Sequence, residues 1–183
     1  MNYIINILKH LLTDIMKFTN KLNSLSETDF ISIFGTVFEK SEWIANEVFK
    51  QKPFKNSEDL FEKMMNIYNN CSKEKVVKIF NLHPKLAIEK RLTNFSSKEQ
   101  IGAQLNSCTK EELLEFEKLN LDYEKRFKFP FIIAVKGKNK NEILKNFRKR
   151  IDNDYDKEFK EAKAQVMKIA LSRLNEIKNE NSI

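Results

Sequence analysis

The sequence predicts an all-α fold, a single-domain multi-helix bundle with one extended segment. Three observations predict it. Gly and Pro number three each in 183 residues, too few for the turns that sandwiches and barrels need. Hydrophobic residues make up 41% of the chain, 15 Phe among them, enough to build one sizeable core. Apolar residues also recur at helical spacing along most of the sequence.

Ile4, Ile5, Leu8, Leu11, Leu12 and Ile15 place an amphipathic helix over the first twenty or so residues, with His10 expected on its surface. Ser26 with Asp29 has the spacing of a cap opening a short helix, and Gly35 punctuates before a helix carrying Val37, Phe38, Trp43, Ile44, Val48 and Phe49. Pro53 closes it. Ser57 is the expected cap of a helix to about Asn69 and Ser72 of another to about Asn81, with Leu60, Phe61, Met64, Met65, Val76, Val77 and Phe80 inward. Pro84 disfavours the α conformation at His83, so a histidine is presented at a helix end. Thr93-Asn94-Phe95-Ser96 reads as a loop, with Ser96 and Glu99 as the capping pair of the next helix. Thr109 and Glu112 form a capping box for a long helix ending near Pro130. Phe131 to Val135 alone has strong extended character, and Lys136 to Asn141 is a loop. Two helices close the chain, Glu142 to about Asn153 and Asp156 to about Lys178. The second carries Phe159, Ala162, Val166, Ile169, Ala170 and Leu174 on one stripe.

The net charge of +7 and pI near 9.2 invite a nucleic-acid reading. Arg, the preferred reader of phosphate and guanine, stands only at 91, 126, 148, 150 and 173, and Lys alternates with acids as on a solvated helix face. A basic helical protein that binds nucleic acid or an acidic partner without catalysis is therefore the weaker alternative. Cys71 and Cys108 have neither disulfide nor metal-ligand spacing. Lys9, His10, Asp14 and Lys17 interrupt the apolar N-terminal stretch before a signal-peptide core can form, and no stretch approaches the roughly 20 apolar residues of a bilayer span. The ending Asn181-Ser182-Ile183 is no peroxisomal address. A cytoplasmic protein with no membrane partner is expected.

Of the two histidines, His83 is the candidate for chemistry: imidazole exchanges protons near neutral pH, and proline restricts its backbone. Taken alone, a His before a Pro is more often structural. The Ser96 and Glu99 pair can be a plain cap, while Gln100 beside it projects from a first helical turn whose free amides favour an anion. A lone strand at Phe131 to Val135 leaves backbone groups to be paired, and a ligand rich in amides would suit them. Arg150 could fork onto a carboxylate.

Taken together, four patches resemble the 2-oxo-4-hydroxy-4-carboxy-5-ureidoimidazoline (OHCU) decarboxylase family of urate breakdown. They are Phe34-Gly35 through Glu39, Ser41, Trp43, Ile44 and Ala45; His83-Pro84-Lys85-Leu86-Ala87; Ser96-Ser97-Lys98-Glu99-Gln100 with Gly102, Ala103 and Leu105; and Leu119, Asn120, Tyr123, Phe127, Phe129 to Gly137, Glu142, Ile143, Leu144, Phe147 and Arg150. The resemblance covers about residues 23 to 175. It implies a helical domain over 23–179, with residues 1–22 as an N-terminal amphipathic helix outside it. It implies a homodimer that turns OHCU, a small ureide, into (S)-allantoin and CO2 with no metal or organic cofactor. Carried over by position, His83 is catalytic, and Glu99, beside it in the proposed chemistry, is expected to share the catalytic proton work. Pro84, Ser96, Ser97, Lys98, Glu99, Gln100, Phe131, Ile132, Ile133, Ala134, Val135 and Arg150 bind substrate. The chain departs from the family pattern at Lys128, where Gly is frequent, and at Gln104, where a small residue is frequent.

Overall fold

The structure is a computed structural model that describes residue 13, residues 16–88 and residues 92–180. His10, most of the helix expected over the first twenty residues, Arg91 and the C-terminal tripeptide lie outside the described residues. Among the described residues every regular element is a helix, and no helix is long and apolar enough to cross a membrane.

Helix α1 covers residues 16–24 and sends Leu22 into the core. The helices α2 (Glu27–Phe34), α3 (Glu42–Phe49), α4 (Ser57–Asn70) and α5 (Lys73–Leu82) follow. Then come α6 (Asn94–Gly102), a 3-10 turn at Leu105–Ser107, α7 (Lys110–Phe127), α8 (Lys140–Arg150) and α9 (Tyr155–Asn179). Helices α2, α3 and α4 pack in succession, α9 lies against α4 and α5, and α7 lies against α8.

Several starts match the caps expected from sequence. Ser26 Oγ accepts the Asp29 amide at 3.1 Å, Ser72 Oγ that of Lys75 at 3.4 Å, and Thr109 with Glu112 forms the capping box of α7. Two caps differ. Asn56, an equally strong N-cap, accepts the Asp59 amide at 2.8 Å, so Ser57 becomes the first helical residue instead of the cap. Thr93 accepts the Ser96 amide at 3.2 Å, so α6 begins at Asn94 and Ser96 stands inside it. A further capping box, Asn139 with Glu142, starts α8 at Lys140, two residues ahead of the expected Glu142.

Both departures from the family pattern fall on left-handed backbone: Gln104 has φ 61° and Lys128, the C-cap of α7, has φ 63°. Glycine is the residue that adopts this region without a Cβ penalty, which is the physical reason small residues suit both places.

The extended segment forms no sheet. Side chains from α8 and α9 satisfy its backbone instead: Arg150 Nη1 donates to the Ile132 carbonyl at 2.8 Å, and the Ala134 amide donates to Gln165 Oε1 at 2.8 Å. Phe131 stacks on Phe147 with centroids 3.9 Å apart, and the Arg150 guanidinium sits 4.5 Å over the Phe131 ring. Such an isolated strand needs these anchors because a buried peptide group without a partner costs about as much as a lost hydrogen bond.

Candidate active site

Helix α5 ends at His83, whose backbone is extended (φ −72°, ψ 138°) because Pro84 follows. The His83 amide turns to the Phe80 carbonyl at 3.0 Å, which leaves the Ile79 carbonyl without its usual helical donor. The imidazole fills the vacancy, with Nδ1 2.9 Å from Ile79 O. A carbonyl only accepts, so Nδ1 carries the proton and Nε2 is the basic nitrogen. Nε2 is buried with no partner in the protein, and His83 lines a cleft. Burial lowers the His83 pKa to about 4, helped by the positive charge of Arg173 and opposed by the Ile79 bond and the negative charge of Glu39. At neutral pH the ring is an uncharged base.

The cleft is lined by His83, Pro84, Leu86 and the α6 residues Ser96, Glu99 and Gln100 on one side. The extended residues Phe131, Ile132, Ile133 and Val135, with Ile169 and Arg173 of α9, complete it. Its cavity volume of about 30 Å³ holds only a few waters, so any larger ligand seats as the walls give way.

Gln100 Oε1 accepts the Ala87 amide at 3.0 Å, which directs the amide Nε2 away as a buried donor with no protein partner. The cleft therefore presents an acceptor at His83 and a donor at Gln100. Arg173, 1% exposed, grips Glu99 in two parallel bonds, Nε to Oε1 at 2.7 Å and Nη2 to Oε2 at 2.8 Å. Its other bonds reach Ser96 Oγ at 3.1 Å, Glu39 Oε2 at 3.0 Å and the carbonyls of Thr36 and Val37. Burial works against the Arg173 charge, but the Glu99 bonds and the charges of Glu99 and Glu39 outweigh it and raise its pKa. Among the described residues no three His, Cys, Asp or Glu side chains gather as a metal cluster.

Nine residues expected from sequence thus meet at one cleft: His83, Pro84, Ser96, Glu99, Gln100, Phe131, Ile132, Ile133 and Val135. Four lie outside its lining. Ser97 is on α6 but off the cleft face, Lys98 is exposed and pairs with Glu176 and Glu180 at 3.3 and 3.5 Å, and Ala134 gives its amide to Gln165. Arg150 is spent on Glu158 and Ile132 O behind the extended segment. Because α6 starts at Asn94, Ser96 to Gln100 do not form its first turn, and the free amides expected beside Gln100 are not there.

Sequence reasoning missed Arg173, Glu39, Leu86 and Ile169. Arg173 was findable: it falls in register with the α9 stripe of Val166, Ile169, Ala170 and Leu174, all buried. A charge on a core-facing stripe needs buried partners, which marks it as part of a network. Glu39 had no such signal, because it sits between helices at a left-handed φ of 52°.

The OHCU decarboxylase family model matches residues 23–175. A uric acid degradation bifunctional protein of Bacillus sp. (strain TB-90) is 38% identical over 86% of this chain, which spans 31% of that longer protein. The 2-oxo-4-hydroxy-4-carboxy-5-ureidoimidazoline decarboxylase of Haloferax volcanii is 33% identical over 85% of this chain and 93% of its own length. A crystal structure of (S)-allantoin synthase superposes with a TM-score of 0.70 at 28% identity, covering 86% of this chain and 52% of that one. The chain belongs to the OHCU decarboxylase family.

Proposed function

We propose that this chain converts 2-oxo-4-hydroxy-4-carboxy-5-ureidoimidazoline to (S)-allantoin and CO2 in urate breakdown. The observation that carries the reading is the neutral His83, tied through Nδ1–H to Ile79 O with a bare Nε2 on the cleft. In the substrate the carboxylate sits on C4, next to the C5=N double bond. When the C4–carboxylate bond breaks, its electrons form C4=C5 and the imine nitrogen takes up the negative charge, then a proton. The resulting enol loses its hydroxyl proton and gains one at C5, giving allantoin. His83 Nε2 is placed to take the hydroxyl proton, the usual scale of such a step being about 10²–10⁴-fold in rate.

Gln100 Nε2 is the donor for a ureide or ring carbonyl. Both Glu99 oxygens are engaged by Arg173, which favours His83 as the proton carrier and Glu99 as an acceptor for the ureide N–H groups. Substrate held between Gln100, Glu99 and the strand meets the proton at C5 from one face, and a single enantiomer results.

The decarboxylase domain spans residues 23–179, and the protein works as a cytoplasmic homodimer. The exposed Leu114 and Leu121, two turns apart on α7, give self-association an apolar face. To test the activity, OHCU is generated in situ from urate and allantoin is followed by circular dichroism. Faster formation of the S enantiomer is expected. Spontaneous racemic allantoin, with salt-dependent retardation of nucleic acid in a gel, would instead support the basic binding protein.

A further inference from the structure

Glu39 takes no part in the proton steps above, yet its setting is unusual. Its side chain is 1% exposed, and its backbone lies at φ 52°, a region that non-glycine residues rarely adopt and that concentrates at functional sites. Its two oxygens take three donors. Oε1 accepts the Thr93 hydroxyl at 2.9 Å, and Oε2 accepts the Ser96 hydroxyl at 2.8 Å and Arg173 Nη1 at 3.0 Å.

A carboxylate is acceptor-only, so both hydroxyls must aim their protons at it. Their lone pairs then face the other way. Thr93 Oγ1 receives the Ser96 amide at 3.2 Å, and Ser96 Oγ receives Arg173 Nη2 at 3.1 Å. One acid thereby sets the cap of α6 and the seat of the guanidinium. Helix α6 in turn carries Glu99 and Gln100.

We propose that Glu39 is a positioning residue for the decarboxylation: by polarising Thr93, Ser96 and Arg173 it fixes where Glu99, Gln100 and the guanidinium charge stand relative to His83 Nε2. The proposal rests on the decarboxylase reading. An amide at position 39 would not serve as well, because it keeps one acceptor oxygen in place of two, lets one hydroxyl turn away, and removes the negative charge that faces Arg173.

The test uses Glu39→Gln and Glu39→Asp in the full chain. Glu39→Gln lowers kcat at least about tenfold, because the alignment with His83 Nε2 is lost, and raises KM as well, because Glu99 and Gln100 also hold the substrate. Glu39→Asp keeps an acceptor-only charge on a shorter arm and falls between the two. A second reading needs no substrate and stands even if the decarboxylase activity fails. His83 faces the charges of Glu39 and Arg173 and shares the cleft with Glu99. With two histidines in the chain, its imidazole titration is resolved by NMR. The midpoint moves to lower pH in Glu39→Gln and stays near wild type in Glu39→Asp. Folded Glu39→Gln with wild-type kcat, or with activity lost only in step with the folded fraction and an unmoved midpoint, overturns the proposal. Should Glu39→Gln not fold, Glu39→Asp decides: reduced kcat supports it and wild-type kcat overturns it.

Discussion

Replacing Arg150 by Leu separates a substrate ligand from a structural anchor. In the structure Arg150 Nε lies 3.0 Å from Glu158 Oε1, whose residue is 0% exposed, and Nη1 holds the Ile132 carbonyl. Glu158 also accepts the Tyr123 hydroxyl and Asn153 Nδ2, so it is the hub that ties α7, α9 and the extended segment together. Removing the guanidinium leaves a buried carboxylate without a counter-charge, which costs about 3–5 kcal/mol. The lost bond to Ile132 falls within that figure, since contacts sharing one group do not add. At about 2–4 °C per kcal/mol for a chain of this size, Tm drops by about 6–20 °C. Urea and thermal unfolding measure the loss, and the double variant Arg150→Leu with Glu158→Leu, which removes both charges, recovers much of it. KM of the folded Arg150→Leu enzyme stays near wild type. An unchanged unfolding midpoint together with a raised KM would show that Arg150 binds substrate and does not anchor the fold.

Acid behaviour follows from His83. Its folded pKa of about 4 lies below the ordinary 6.5, so between those values the unfolded chain takes up a proton that the folded chain refuses. Stability is therefore complete above pH 6.5 and is lost as pH falls through 4, by roughly 3 kcal/mol at 1.36 kcal/mol per pH unit; His83→Phe flattens this loss in urea titrations, and an identical pH dependence would contradict it. The profile of kcat/KM stays level from neutral pH to about 5 and falls below that, whereas a limb centred near 6.5 would show that the folded imidazole is not depressed. Gln100→Leu removes the buried donor and lowers kcat/KM about 10–100-fold, the cost of one unmet buried hydrogen bond; wild-type kinetics would remove Gln100 from the site. Lys128→Gly relieves the left-handed C-cap and raises stability by up to about 1 kcal/mol, read as a higher urea midpoint; a lower midpoint would count against strain there.

Helix order was legible because most helices carry their own apolar stripe and cap, as Thr109 with Glu112 shows for α7. The misplaced caps at Ser57 and Ser96 arose where two nearby polar residues compete, Asn56 with Ser57 and Thr93 with Ser96, and tertiary contacts choose. Ser96 is held inside α6 by Thr93 and by a carboxylate 57 positions away in sequence. His83 and Pro84 could be placed at a helix end because proline fixes the backbone there, whereas Gln100, expected in a first helical turn, stands beyond it. Arg150 was expected on the substrate and stands instead on Glu158 and the Ile132 carbonyl: the sequence shows that an arginine fork is available, while the acid that occupies it comes from another helix. Glu158 takes Arg150, and Glu99 with Glu39 takes Arg173. Such long-range pairing leaves no periodic trace, apart from a charge lying in register with a buried stripe.

In the proposed reaction a neutral His83, with Nε2 open to the cleft, carries the proton. Turnover of freshly generated OHCU by wild type and His83→Ala, at matched folded fraction, tests it most directly. A kcat at least about a hundredfold lower is expected in His83→Ala, with the helical circular dichroism unchanged. A folded His83→Ala enzyme that forms (S)-allantoin at the wild-type rate would contradict it.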